Sequence, residues 1–231
     1  MSGGLSAVEW RDDERPERAV PLEPAFAGVH LGTARDGRPV ALPGPGPAGS
    51  RIAVLGDPLF ARLVALRLLA VGARVTAATR APGPWRALQT AAGERLTVAE
   101  EAEAQPVPPP APPAVDDGPQ ALVSELRRPP SAASAAGAWR TAVHVAPAAP
   151  RRSAFWTAPD ALLALDARFA EGAGAALGEE AARATAALAP GDILLFRPGA
   201  GPMVLRPDIA PGETALLTPA DAAPPPRAGH P

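Results

Sequence analysis

From Arg51 onward the chain alternates short continuous apolar runs with longer stretches whose apolar residues recur at helical spacing. Ile52-Ala53-Val54-Leu55 is an unbroken apolar run, the pattern of a strand buried on both faces. Gly56-Asp57-Pro58 turns the chain, and Leu59, Leu63, Leu66 and Leu69 with Phe60 and Val64 then mark a helical apolar face. On that wheel Arg62 and Arg67 look outward. Pro58 suits the first helical turn and Gly72 the position just past the helix end. Arg74–Thr79 reads as a second strand, which makes a strand–helix–strand unit of ordinary size.

The flanking segments extend this alternation. Val29–Thr33 and Pro39–Leu42 bracket Arg35-Asp36-Gly37-Arg38, and Asp-Gly between two apolar-bearing runs predicts a hairpin with a type I′ turn. Pro39 restricts the second strand to an edge or to the start of its ladder. Downstream, Pro84–Ala92 reads as a short helix, Arg95–Ala99 as a strand, Ala121–Leu126 as a helix and Arg140–Ala146 as a strand. Ala161–Leu165 is a strand or a buried helical turn, and Ala170–Ala189 an Ala-rich helix. Asp192–Phe196, Met203–Leu205 and Thr214–Leu217 predict a closing β-meander. The expected fold is α/β, a Rossmann-like or P-loop-like three-layer sandwich on a mostly parallel sheet, with an N-terminal hairpin and a C-terminal meander.

Composition sets the boundaries. The 231 residues include 32 Pro and 22 Gly, and the prolines cluster. Residues 1–25 read as a disordered arm, 26–218 as one α/β domain containing the hairpin over 29–42 and a Pro-rich linker over 105–113, and 219–231 as a disordered tail. The N-terminus lacks the basic and apolar regions of a signal peptide. Leu59–Val71 is too short, and carries too many arginines, for the ~20 apolar residues of a bilayer span. A cytoplasmic protein is expected, with attachment to the periphery of a membrane complex compatible with the sequence.

Charge and residue usage exclude several chemistries. The formal net charge is −2, so no global basic field holds nucleic acid. The 22 basic residues are all arginine, which removes Schiff-base chemistry and the phosphate-gripping lysine of a P-loop. Cysteine is absent, and with it thiolate catalysis and cysteine-ligated metals. Ser124, Ser131, Ser134 and Ser153 lack a nucleophile-elbow setting. Asp116-Asp117 reads as a turn pair, and His144, between Val143 and Val145, as a solvated or hydrogen-bonded strand histidine facing away from both. His30, His144 and His230 are far apart in sequence. Trp10, in the polar arm, and the Pro106-x-x-Pro109 segment could each touch a protein partner.

Ligands of open α/β sheets bind beyond the C-terminal strand ends, so the turn at Gly56 carries most of the functional information. On the dinucleotide fingerprint the three glycine positions hold Gly56, Pro58 and Ala61, and Thr79-Arg80 at the end of the next strand would suit a 2′-phosphate. An NADP-binding oxidoreductase-like domain using Gly56, Thr79 and Arg80 is therefore the alternative reading. On the P-loop template, Gly56-Asp57-Pro58-Leu59-Phe60-Ala61-Arg62-Leu63 keeps only the first glycine. Arg62 stands at the lysine and Leu63 at the magnesium-binding hydroxyl, and leucine cannot ligate a metal. Gly56, Asp57, Arg62, Thr79 and Arg80 thus form a vestigial or alternative nucleotide site, with no catalytic residues, no metal and no cofactor expected.

The order of these pieces resembles the FtsK/SpoIIIE-type ATPase domains, including the EccC motor of actinobacterial type VII secretion. Gly32-Thr33-Ala34-Arg35-Asp36-Gly37-Arg38-Pro39-Val40 is similar to the hairpin that precedes the Walker A strand in that family. Val54–Leu69 then falls on Walker A and its helix, and Ala114-Val115-Asp116-Asp117 on a shortened Walker B. Ala142–Ala146 falls on the strand ending in the sensor position, and Ala189-Pro190-Gly191-Asp192-Ile193-Leu194-Leu195 on the late Pro-Gly-x-x-Leu-Leu strand. The resemblance spans about 29–207, and the departures fall where ATP chemistry would be. It implies a pseudo-ATPase scaffold, accessory to type VII secretion, with a protein partner such as a secretion-motor complex and no nucleic acid.

Overall fold

The computed structural model describes residues 28–100, 118–150 and 153–218. The N-terminal arm with Trp10, the Pro-rich linker, Asp116-Asp117 with the shortened Walker B, and the tail with His230 lie outside the described residues.

Among the described residues ten strands form one sheet. In chain order they and the helices run β1 (Gly28–Ala34), β2 (Pro39–Pro43), β3 (Ser50–Leu55), α1 (Pro58–Ala70), β4 (Arg74–Ala78), α2 (Arg86–Ala92), β5 (Leu96–Ala99), β6 (Gln120–Ser124), β7 (Arg140–Ala146), α3 (Ala154–Thr157), β8 (Ala161–Ala164), α4 (Ala170–Leu177), α5 (Glu179–Ala186), β9 (Ile193–Phe196), β10 (Met203–Pro207) and α6 (Pro211–Leu217). The spatial order is β2-β1-β10-β9-β8-β3-β7-β6-β4-β5. From β8 to β5 all neighbours are parallel, and from β8 back to β2 all are antiparallel.

Alternation along the central strands supplies two cores. Ile52 and Val54 of β3 with Val143 and Val145 of β7 face α1, α2 and α6, whereas Ala53 and Leu55 with Ala142 and Ala146 face α3, α4 and α5. This is the expected α/β three-layer sandwich on a mostly parallel sheet. The hairpin belongs to it, because β1 pairs with β10.

The hairpin turn differs in type from the expected I′. Gly37 N–H donates to Ala34 O (2.9 Å), Ala34 N–H donates to Arg38 O (2.9 Å), and only Gly37 has positive φ (83°). That is a type I turn closed by a left-handed glycine, a three-residue loop rather than a two-residue one. The Asp36 carboxylate secures it by accepting from Arg38 N (3.1 Å) and Arg38 Nε (2.7 Å). Pro39 opens the edge strand β2, where its missing N–H costs no ladder bond.

Four further expectations are corrected. The segment over Ala121–Leu126 is not a helix but contains β6, held between β4 and β7. A short apolar run buried on both faces has no periodicity to separate the two states. The Ala-rich segment breaks into α4 and α5 at Gly178 (φ 97°), where the chain leaves helical geometry. Thr214–Leu217 belongs to α6, with Pro211 at its start, so of the expected meander only the antiparallel pair β9–β10 is present. Finally, Arg62 and Arg67 do not look outward. The sheet, α2, α6 and the hairpin surround α1, and both arginines are buried.

Arg67 shows what that burial requires. Its Nε and Nη2 donate to the Glu213 carboxylate (2.8 and 3.0 Å), and its Nη1 donates to the carbonyls of His30 (2.9 Å) and Leu31 (2.8 Å). Nη2 also donates to Asp208 O. One guanidinium thereby satisfies its donors while joining α1 to the hairpin and to α6.

Candidate functional site

The turn after β3 is short and closed. Helix α1 begins at Pro58 with only Gly56 and Asp57 between it and β3, so from Pro58 onward the positions that the P-loop template assigns to a phosphate-wrapping loop are already helical. Few amides remain to face an anion: Gly56 N–H donates to Ala146 O (3.0 Å), Phe60 N–H donates to Asp57 O (3.0 Å), and Pro58 has none. Asp57 occupies the N-cap position but its side chain makes no cap bond; it pairs with Arg168, whose guanidinium also lies 4.8 Å from the Phe169 ring centre.

The space over Gly56 is filled. A β-carbon at Gly56 would lie 2.2 Å from Leu165 Cδ1 and 2.7 Å from Leu165 Cγ. Leu165 is fixed there by its backbone N–H, which donates to Leu55 O (3.0 Å). The glycine thus permits close approach of a leucine side chain rather than of a pyrophosphate.

Thr79 bonds a residue that the sequence reading missed, Glu125, whose charge also acts on Arg62 through space. Thr79 Oγ1 donates to Glu125 Oε2 (2.8 Å) and the buried Trp85 donates through Nε1 to the same oxygen (3.4 Å). Thr79 Oγ1 also accepts from Ala81 N (3.0 Å). Arg62, 8% exposed, is the charged residue that acts on Glu125 through space. Arg62 Nε and Glu125 Oε1 are both buried and without a hydrogen-bond partner. Burial pushes the Glu125 carboxyl up from the ordinary range, against the bonds from Thr79 and Trp85 and the charge of Arg62. Burial likewise pulls Arg62 down, and the Glu125 charge offsets part of that. The cationic group at the P-loop lysine position is thus buried and within electrostatic reach of an internal carboxylate. The signal that could have identified Glu125 was its place immediately after the apolar run that forms β6.

The remaining candidates separate. Gly56 and Asp57 form the turn, while Arg80 is exposed beyond the end of β4. Strands β7 and β6 lie between β3 and β4, which puts the two strand ends about 14 Å apart at ~4.8 Å per step. In the dinucleotide-binding order the second strand sits directly beside the first, so the topology corrects the NADP reading.

His144 is fully buried. Trp156 Nε1–H donates to its Nδ1 (2.8 Å), which leaves Nε2–H to donate to Leu126 O (2.8 Å). The ring is thus held neutral in one tautomer, and burial keeps its pKa below the ordinary value. It is the hydrogen-bonded, not the solvated, strand histidine, on the face opposite Val143 and Val145 as expected. Ser124 Oγ accepts from Leu126 N (3.3 Å), and Ser131 and Ser134 bond each other (3.2 Å). Among the described residues no three His, Asp or Glu side chains come together as a metal site, and no helix is long and apolar enough to cross a membrane.

No family model and no curated protein matches the chain. Among solved structures it is similar to the cytoplasmic domain of the Thermomonospora curvata type VII secretion ATPase EccC, at TM-score 0.53 and 14% identity over 90% of this chain. It spans 31% of that structure's length. The genome-packaging NTPase B204 of Sulfolobus turreted icosahedral virus 2, in complex with ATP-gammaS, gives TM-score 0.45 and 8% identity over 71% of this chain and 99% of that one. At these identities the likeness to the EccC domain is one of fold.

Proposed function

We propose that this chain is a non-catalytic α/β scaffold of P-loop-like architecture, a pseudo-ATPase that serves as a binding or assembly component accessory to type VII secretion. The observation that carries the reading is the occupied turn: Leu165 sits on Gly56, and α1 starts too soon after β3 to leave a phosphate loop. Arg62, buried at the lysine position, and Leu63 in place of a metal-binding hydroxyl support it further. The secretion context is supported by the fold shared with the EccC cytoplasmic domain and by the hairpin motif over 32–40. On this reading the protein works on the cytoplasmic side, at the periphery of a membrane complex, through a protein partner. Calorimetric titration of the full chain with Mg-ATP tests the loss of nucleotide chemistry. Co-purification of the tagged chain with a secretion ATPase from its own cell extract tests the context.

A further inference from the structure

Four exposed arginines are chain neighbours of the three residues that meet at the Glu125 carboxylate. Thr79 and Trp85 both bond Glu125 Oε2; Arg80 follows Thr79, Arg86 follows Trp85, and Arg127 and Arg128 lie two and three residues past Glu125. With consecutive Cα atoms about 3.8 Å apart, each of these backbones lies within three residues of one that meets there, at the C-terminal edge of the sheet. Glu125 is partly buried and turned to Thr79 and Trp85, so it does not neutralise them.

Several other surface arginines are engaged: Arg35 and Arg206 on Asp192, Arg38 on Asp36, Arg168 on Asp57, Arg197 on the Ala41 carbonyl. Arg80, Arg86, Arg127 and Arg128 make no hydrogen bond or ion pair among the described residues. Glu100, one residue beyond β5, pairs with none of them. The cluster is a local positive field on a chain whose net charge is −2.

We infer that this arginine cluster is a docking surface for an acidic polypeptide segment of a partner protein; this names the partner chemistry of the scaffold reading and rests on it. Guanidinium forks match carboxylate pairs in two-point hydrogen bonds, and arginines with no partner among the described residues have no bond there to break on docking. Single-stranded nucleic acid requires exposed aromatic faces on which bases stack, and the one aromatic residue in the cluster, Trp85, is 0% exposed.

The test is fluorescence anisotropy of a labelled decaglutamate peptide with the full chain at low salt. Saturable binding is expected, weakening as salt rises from about 50 to about 200 mM. The combined substitution Arg80→Gln, Arg86→Gln, Arg127→Gln and Arg128→Gln should weaken it at least about tenfold with an unchanged melting temperature. Should that variant fold poorly, Arg127→Gln with Arg128→Gln alone should still weaken binding. Arg183→Gln, at an exposed arginine of α5 that also has no described partner, should leave it unchanged. Absence of saturable binding, equal binding by a folded cluster variant, or equal or tighter binding of an oligothymidylate of matched charge would overturn the inference. Because no nucleotide enters the assay, its failure is distinguishable from a failure of the scaffold reading, which Mg-ATP titration judges.

Discussion

Leu165 lies on Gly56 so closely that a single added methyl group would meet its side chain at 2.2 Å. The contact joins the loop after β8 to the turn after β3, at the C-terminal edge where an open α/β sheet presents its ligands. It fills with hydrocarbon the place where a phosphate-binding turn needs open backbone.

Gly56→Ala tests that contact as a matter of packing. Gly56 is not in the left-handed region, so alanine meets a steric rather than a conformational obstacle. Overpacking should cost about 1–3 kcal/mol in urea denaturation. Gly56→Ala combined with Leu165→Ala should cost clearly less than the sum of the single changes, since the second makes room for the first. Strict additivity would mean that the two residues do not share the space.

Arg67 should be sensitive to substitution, because its charge is buried and fully engaged. Arg67→Met leaves Glu213 Oε1 and three backbone carbonyls without this donor, and Glu213 Oε2 with only Ala210 N. A loss of about 3–5 kcal/mol is expected, with amides of α6 and the hairpin exchanging faster with solvent hydrogen. Arg67→Lys should recover little, since an ammonium cannot fork to Glu213 and reach the carbonyls together.

Glu125→Ala removes the counter-charge of Arg62 and the acceptor of Thr79 and Trp85. Destabilisation on the order of 3 kcal/mol is expected in the same denaturation assay. Adding Arg62→Met should recover part of it, because the apolar pair no longer strands a buried cation. Absence of any coupling in that cycle would separate the two residues.

Stability should fall as pH drops below neutrality, through His144. Its folded pKa lies below the ordinary histidine value of about 6.5, so the unfolded chain binds a proton first. The stability contributed by the neutral ring is complete above about 6.5 and is lost as pH falls toward the folded pKa. Protonation would place a second donor at Nδ1, facing Trp156 Nε1–H. Glu125, with its carboxyl pushed up, has the opposite sign: its burial costs stability as pH rises from the ordinary carboxylate range. Comparison with His144→Phe isolates the histidine, and thermal melts between pH 5 and 7 should then lose most of their slope. A slope unchanged by that substitution would assign the dependence elsewhere.

The sequence carried the elements whose signals are local. Pro58 at the start of α1, the Gly37 turn and the continuous apolar run of β3 were all legible from neighbouring residues. What escaped depends on contacts distant in the chain. Arg62 and Arg67 read as outward because a wheel of α1 alone does not reveal that the hairpin and α6 close over it. Val123 and Leu122 alone could not tell a strand held between β4 and β7 from a helix. Glu125 became a site residue only when β6 placed it against Thr79 of β4's end and Trp85. The separation of Gly56 from Arg80 likewise follows from strand order, which spacing along the chain does not encode.

Calorimetric titration of the full chain with Mg-ATP bears most directly on the loss of nucleotide chemistry. With Leu165 over Gly56 and no phosphate loop before α1, the account predicts no saturable heat up to millimolar nucleotide and no phosphate release above the buffer rate. A stoichiometric isotherm with micromolar Kd would contradict it.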